Sequence, residues 1–267
     1  MRIFNPVTLP AMRLGAVAAT ILVAANAWAF DGNTLDEDFS PQDALRLGAK
    51  SYLAGDMQKA LSALEFAAQK GNPVAQWKLA KMYASGEGVP KDHQRAFELY
   101  LDIANNYADE DPRFRHARVV SSAFVSVGHY LITGIDGSEV TPSPKLARRL
   151  YNHASKQFAD PDAQFHLAKM MAFGIGGSEE PYQAARWAKM SARKGHVGGQ
   201  ALYGHLMFAQ DGSDRNRIRG LMWLTIAENR APQDAWIADL ADGARAEVSD
   251  EELAAATAAA DRWLANQ

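Results

Sequence analysis

Residues 75–88 read AQWKLAKMYASGEG, and residues 163–176 read AQFHLAKMMAFGIG, the same sentence written twice. In both copies the apolar side chains recur three and four positions apart (Ala75, Leu79, Ala80, Met82, Tyr83; Ala163, Leu167, Ala168, Met170, Met171). That spacing lines one face of an α-helix. Each run then meets a glycine, Gly86 or Gly174, at the place where a helix closes with a left-handed residue. A chain that repeats a helix together with its stop signal is built from stacked units.

Working outward, the same stop recurs at Gly55 and Gly134, with Gln210 in the fifth place. A second helix follows each stop, marked by small residues seven or eight apart. ALSALEFAAQKG (60–71) has Ala60, Ala67, Ala68 and Gly71; AARWAKMSARKG (184–195) has Ala184, Trp187, Ser191, Ala192 and Gly195. Small residues let helices approach closely, and large ones such as Trp77, Tyr83, Tyr100, Tyr151, Trp187 and Trp223 fill the gaps between pairs. The pattern predicts an all-α chain of about five helix-turn-helix repeats over 42–231, in which Tyr83, Gly86, Gly88, Gly174, Gly176, Trp187 and Gly195 are repeat-structural. Polar inserts at 107–116 and 134–145 lengthen the third unit. A terminal pair over 232–267, whose second helix opens on a Ser249/Glu252 capping box, is expected to cap the stack.

The N-terminus has a different grammar. Arg2 and Arg13 precede LGAVAATILVAANAWA (14–29), an apolar run short for a membrane span that ends in small residues. This is the form of a secretory signal cut between Ala29 and Phe30, the alternative being an uncleaved anchor. Residues 30–41, FDGNTLDEDFSP, read as a flexible acidic lead-in. The mature chain is therefore expected to be periplasmic and soluble. Loss of two arginines from the 28 basic residues leaves 26 against 31 acids, so the formal charge moves from −3 to −5. Such a balance gives no broad footprint for nucleic acid. Cysteine is absent, which excludes disulfides, a thiol nucleophile and cysteine metal sites.

The run Ala75, Leu79, Ala80, Tyr83, Gly86, Gly88, Val89, continued by Asp92 and Ala96, resembles the Sel1-like repeat, a relative of the tetratricopeptide repeat. Residues 163–195 match it again. The resemblance implies a right-handed α-solenoid. The signal ending AWAFD (27–31), the first unit LGAKSYLAGDMQKALSALEFAAQKGN (47–72) and the stretch 163–196 resemble the ExoR-type periplasmic regulators of exopolysaccharide production. That resemblance implies a non-catalytic negative regulator. Its partners would be the periplasmic domain of a sensor histidine kinase of the ExoS–ChvI type, which it holds off, and a periplasmic protease that relieves the restraint. It implies no cofactor and no small-molecule substrate, with the membrane reached only through the partner. No discrete motif of that family marks kinase-binding residues.

GEGVPKD (86–92) and GIGGSEE (174–180) have glycines that end helices, whereas phosphate loops open them. SARK (191–194) has the Ser-x-x-Lys spacing of an acylating serine, but its partner motifs are missing, and both residues suit the repeat. Seven scattered histidines without a His-x-x-x-His pair predict no metal site. The best candidate for partner binding is a polar ridge on the first helices, the concave face of such stacks: Gln76, Lys78, Lys81, Gln164, His166, Lys169, Gln200 and His205. Ordinary solvation of an outer face is the alternative. His166 and His205 could also sense mild acid, against a reading as satisfied core or surface histidines. Two functional rivals stay open: a periplasmic scaffold for envelope or polysaccharide enzymes, and a cell-wall enzyme for which no convergent acid, base or nucleophile is found.

Overall fold

A computed structural model describes residues 39–111, 113–210 and 213–266; the signal segment, its cut at Ala29 and Phe30, and nearly all of the acidic lead-in lie outside them. Among the described residues there are helices and no strands. Five hairpins follow one another: α1 (Pro41–Leu53) with α2 (Met57–Gln69), α3 (Pro73–Ser85) with α4 (His93–Asn106), α5 (Ala117–Thr133) with α6 (Pro144–Gln157), α7 (Pro161–Ala172) with α8 (Pro181–Arg193), and α9 (Val197–Gln210) with α10 (Asp214–Arg230). A last pair, α11 (Ala235–Arg245) and α12 (Asp250–Leu264), closes the chain. This is the α-solenoid class that the repeat predicted.

Local signals explain the helix bounds. Asn72, Asp92 and Asp160 accept N-cap hydrogen bonds from the first turns of α3, α4 and α7, and Pro73, Pro144, Pro161 and Pro181 sit at first positions where no amide partner is lost. The Ser249/Glu252 capping box is complete. Gly86 and Gly174 take φ of 79° and 65°, the left-handed turn read from the sequence. The repeated small residues are interior: Ala60, Ala67, Ala184 and Ser191 are fully buried, which is what lets the helices of a hairpin close on each other.

The described residues form two compact units that meet at Ala123 and Phe124, inside α5, a division the repeat pattern did not predict. In the first, Leu64, Leu79, Met82 and Val89 form a core against which Tyr83 packs. In the second, one cluster joins Phe165, Ala188, Leu202 and Leu206 with Trp187 and Trp223 at its rim, and another joins Leu221, Leu224, Ile237 and Ala256. The two inserts are anchored. Tyr107 donates to the Gly71 carbonyl and stacks on Phe114, and Ala108 is buried. In the other insert Val140 is buried and its carbonyl accepts from Ile135 N–H. No helix among the described residues is long and apolar enough to cross a membrane.

Candidate functional site

The expected polar ridge does not form a continuous surface. Gln76, Gln164 and Gln200 are buried, and the first and last of them meet second helices. Gln76 donates to Asp102 on α4 at 2.6 Å. Gln200 donates to the Ala192 carbonyl and accepts from Arg230 on α10 at 3.2 Å. Gln164 is enclosed with no hydrogen-bond partner for either amide atom among the described residues. These three are corrected from surface to interior. The ridge lysines cover aromatic rings: Lys78 lies 3.2 Å from the Tyr52 ring centroid, Lys81 4.8 Å from Trp77 and Lys169 4.4 Å from Trp236. At such distances the ammonium is held by the ring face while its stem shields apolar surface. His205 is half-buried on α9, and burial alone holds its imidazole below the usual value.

His166 belongs to a cluster that sequence reasoning missed. Its Nε2 lies 2.8 Å from His129 Nε2 on α5 and 3.2 Å from Asp162 Oδ1 one turn earlier on α7. His196, just before α9, brings its Nε2 to 3.4 Å from the same Asp162 oxygen. The His196 tautomer follows from the backbone: Nδ1 accepts from Gly199 N–H at 3.0 Å, so a neutral ring carries its proton on Nε2 and donates it to Asp162. Tyr151 of α6, fully buried, stacks on the His166 ring with centroids 5.1 Å apart and has no partner for its hydroxyl among the described residues. Phe165 lies against both His166 and His196.

Electrostatics follow from this enclosure. Burial, with His166 beside it, pushes His129 down to about 4 despite the opposing pull of Asp162. Burial works to raise Asp162, but hydrogen bonds from His166 and His196 overcome it and hold the carboxyl well below the usual range. Burial pushes the Tyr151 phenol far up, so it stays a neutral donor. The cluster ties α5 and α6 to α7 through the His166 ring, and α7 to the start of α9 through the Asp162 carboxylate. The Asp162–His166 spacing of four is the sequence signal that could have flagged it; His129 and His196 are brought in by the stacking of repeats.

Among the described residues no group of metal-ligating side chains is placed to hold an ion. Ser191 Oγ donates to the Pro161 carbonyl at 2.6 Å and Lys194 Nζ to the Ala159 carbonyl, so the Ser-x-x-Lys pair fastens one hairpin to the preceding turn. A cleft of about 590 Å³ between α10 and α12 is lined by Arg217, Ser249 and Glu252, which are bonded to one another or to backbone.

Comparison with known proteins agrees with the architecture. The Sel1 repeat model matches residues 73–105, 127–157, 161–196 and 198–230, which are the hairpins from α3/α4 to α9/α10. An exopolysaccharide production negative regulator of Rhizobium leguminosarum bv. viciae is 33% identical over 232 residues, 86% of this chain and 85% of its own. A protein of the same description from Rhizobium meliloti is 32% identical over 85% of this chain and 84% of its own. A Sel1 repeat protein from Oxalobacter formigenes shares the fold at 21% identity, with a TM-score of 0.55 over 70% of each chain. The chain belongs to the family of Sel1-repeat proteins that includes these two exopolysaccharide production negative regulators.

Proposed function

We propose that the protein is an exported, non-catalytic negative regulator that binds the extracytoplasmic domain of an ExoS-type sensor histidine kinase and restrains signalling to exopolysaccharide and envelope genes. The observation that carries the reading is the likeness to two negative regulators over more than four fifths of both chains, on a repeat architecture whose general use is protein binding. Restraint by binding requires preference for one state of the kinase. A ligand with equal affinity for both states shifts nothing, and moving a kinase from mostly on to mostly off requires a preference of about 10⁴-fold. Proteolysis of the regulator then acts as the switch, since destroying the ligand returns the kinase to its unbound equilibrium.

The test is genetic and biochemical. Deleting the gene should raise exopolysaccharide output, and the tagged protein recovered from the periplasm should carry the sensor kinase. Recovery of a polysaccharide synthase or peptidoglycan enzyme in its place would move the protein to the scaffold reading. A deletion without effect on exopolysaccharide sinks the regulatory one.

A further inference from the structure

The second helices of two successive repeats in the second unit carry a row of cations without a single carboxylate. Neither PKLARRLYNHASKQ (α6) nor PYQAARWAKMSAR (α8) contains an acid. Lys145, Arg149 and Lys156 on α6 are exposed, as are Arg186, Lys189 and Arg193 on α8. With about 3.6 residues per turn, spacings of three, four and seven keep each trio on one stripe of its helix. None of the six has an ion-pair partner among the described residues.

The two helices both pack against α7, and contacts near their ends show that they run the same way. Arg148 near the start of α6 pairs with Glu180 at the start of α8 and donates to the Ser178 carbonyl. Beyond the other end of α6, the Ala159 and Pro161 carbonyls accept from Lys194 and Ser191 at the end of α8. One turn before Arg186 on α8 stands Tyr182, 77% exposed, and between Lys189 and Arg193 in the chain stands Met190, 43% exposed. Large apolar side chains set among arginines are the residue types that anchor protein interfaces.

We infer that the acid-free face of α6 and α8 is a docking surface for an acidic face of a protein partner. The inference rests on the proposed regulatory reading, in which that partner is the kinase's extracytoplasmic domain. A protein is favoured over an anionic lipid surface because the apolar groups present, one tyrosine and one methionine, suit local pockets better than insertion into a bilayer. One surface ion pair is worth little, but a row of six unpaired cations raises the local potential and steers an acidic partner into register. The same residues explain why the first helices, whose glutamines are interior and whose lysines cover rings, are the poorer place to grip.

The experiment measures affinity of the whole mature protein for the purified extracytoplasmic domain at low and physiological salt, with circular dichroism to confirm that every variant folds. The triple variant Arg149→Glu, Arg186→Glu, Lys189→Glu should weaken binding about 30-fold or more, mostly through a slower association rate, and should flatten the salt dependence. Tyr182→Ala should weaken it several-fold through faster dissociation. The control pair Lys59→Glu, Arg95→Glu on α2 and α4 should leave it unchanged. If the unaltered protein binds and the triple variant binds equally well, the docking face is wrong while the regulatory reading stands. If the unaltered protein does not bind the domain, the regulatory reading falls and this inference with it. If only phosphatidylglycerol vesicles distinguish the triple variant from the unaltered protein, the face belongs to lipid and the inference is overturned.

Discussion

The helix written twice, α3 and α7, behaves differently in its two settings. At the second position Gln76 and Gln164 are both buried, but only Gln76 has a partner, Asp102. The constant offset of 88 places Met190 where Asp102 stands, so the second copy lost the carboxylate and kept the amide. At the fourth, Lys78 sits over the Tyr52 ring, while His166 meets His129 and Asp162. The comparison teaches that the repeat specifies apolar packing and turns. Polar wiring is set by whichever neighbours each copy receives.

The largest difference is expected at a glycine both copies share. Gly88 and Gly176 have φ of 75° and 70°, so alanine at either carries the left-handed strain of about 1–2 kcal/mol. Their neighbours differ. A Cβ at Gly88 would meet the Met57 side chain at 3.1–3.3 Å, which can turn aside. At Gly176 it would meet the Pro144 carbonyl oxygen at 2.5 Å, and the start of α6 would have to move. Gly176→Ala should therefore destabilise by about 3–4 kcal/mol and Gly88→Ala by about half that, read from urea melts. Equal losses would mean that the backbone contact contributes nothing.

The buried glutamines come next. Gln76→Met removes the donor that Asp102 uses and should cost about 1–2 kcal/mol. Gln164→Met removes two enclosed polar atoms that have no partner and should be neutral or stabilising by up to about 1 kcal/mol. If both substitutions cost the same, Gln164 is as well satisfied as its counterpart and the contrast between the copies collapses.

These cases mark what the sequence could show. Hairpins, caps and glycine turns were legible because they depend on spacing within about fifteen residues, and Ala60, Ala67, Gly86 and Ser249 act as read. The polar interior was not legible. Gln76, Gln164 and Gln200 fall beside the apolar stripe and look solvated; only the packing of neighbouring helices shows otherwise. His129 and His166 are 37 residues apart across an insert of irregular length, so no period joins them. The division inside α5 left no signal either, since no proline, glycine pair or polar insert interrupts that helix near Ala123.

The smallest effect is the one that gives the two copies different responses to acid. The Lys78–Tyr52 pair contains no histidine, while the second copy sets His129 against His166, with Asp162, His196 and Tyr151 around them. Folded His129 titrates at about 4 and an unfolded histidine near 6.5. Between those values the unfolded chain binds the extra proton, so stability rises with pH across that window. It is fully present above about 6.5 and is lost as pH falls towards 4. His129 is nonetheless an exposed residue, which reduces the effect to about 1 kcal/mol. Asp162, held below its usual range, adds a loss only under stronger acid, as pH falls through and below the ordinary carboxylate value. Denaturant melts from pH 7.5 to 4.5 should thus show a decline that His129→Gln flattens. A decline of the same depth in that variant would place the acid response elsewhere and leave the two copies alike in this respect.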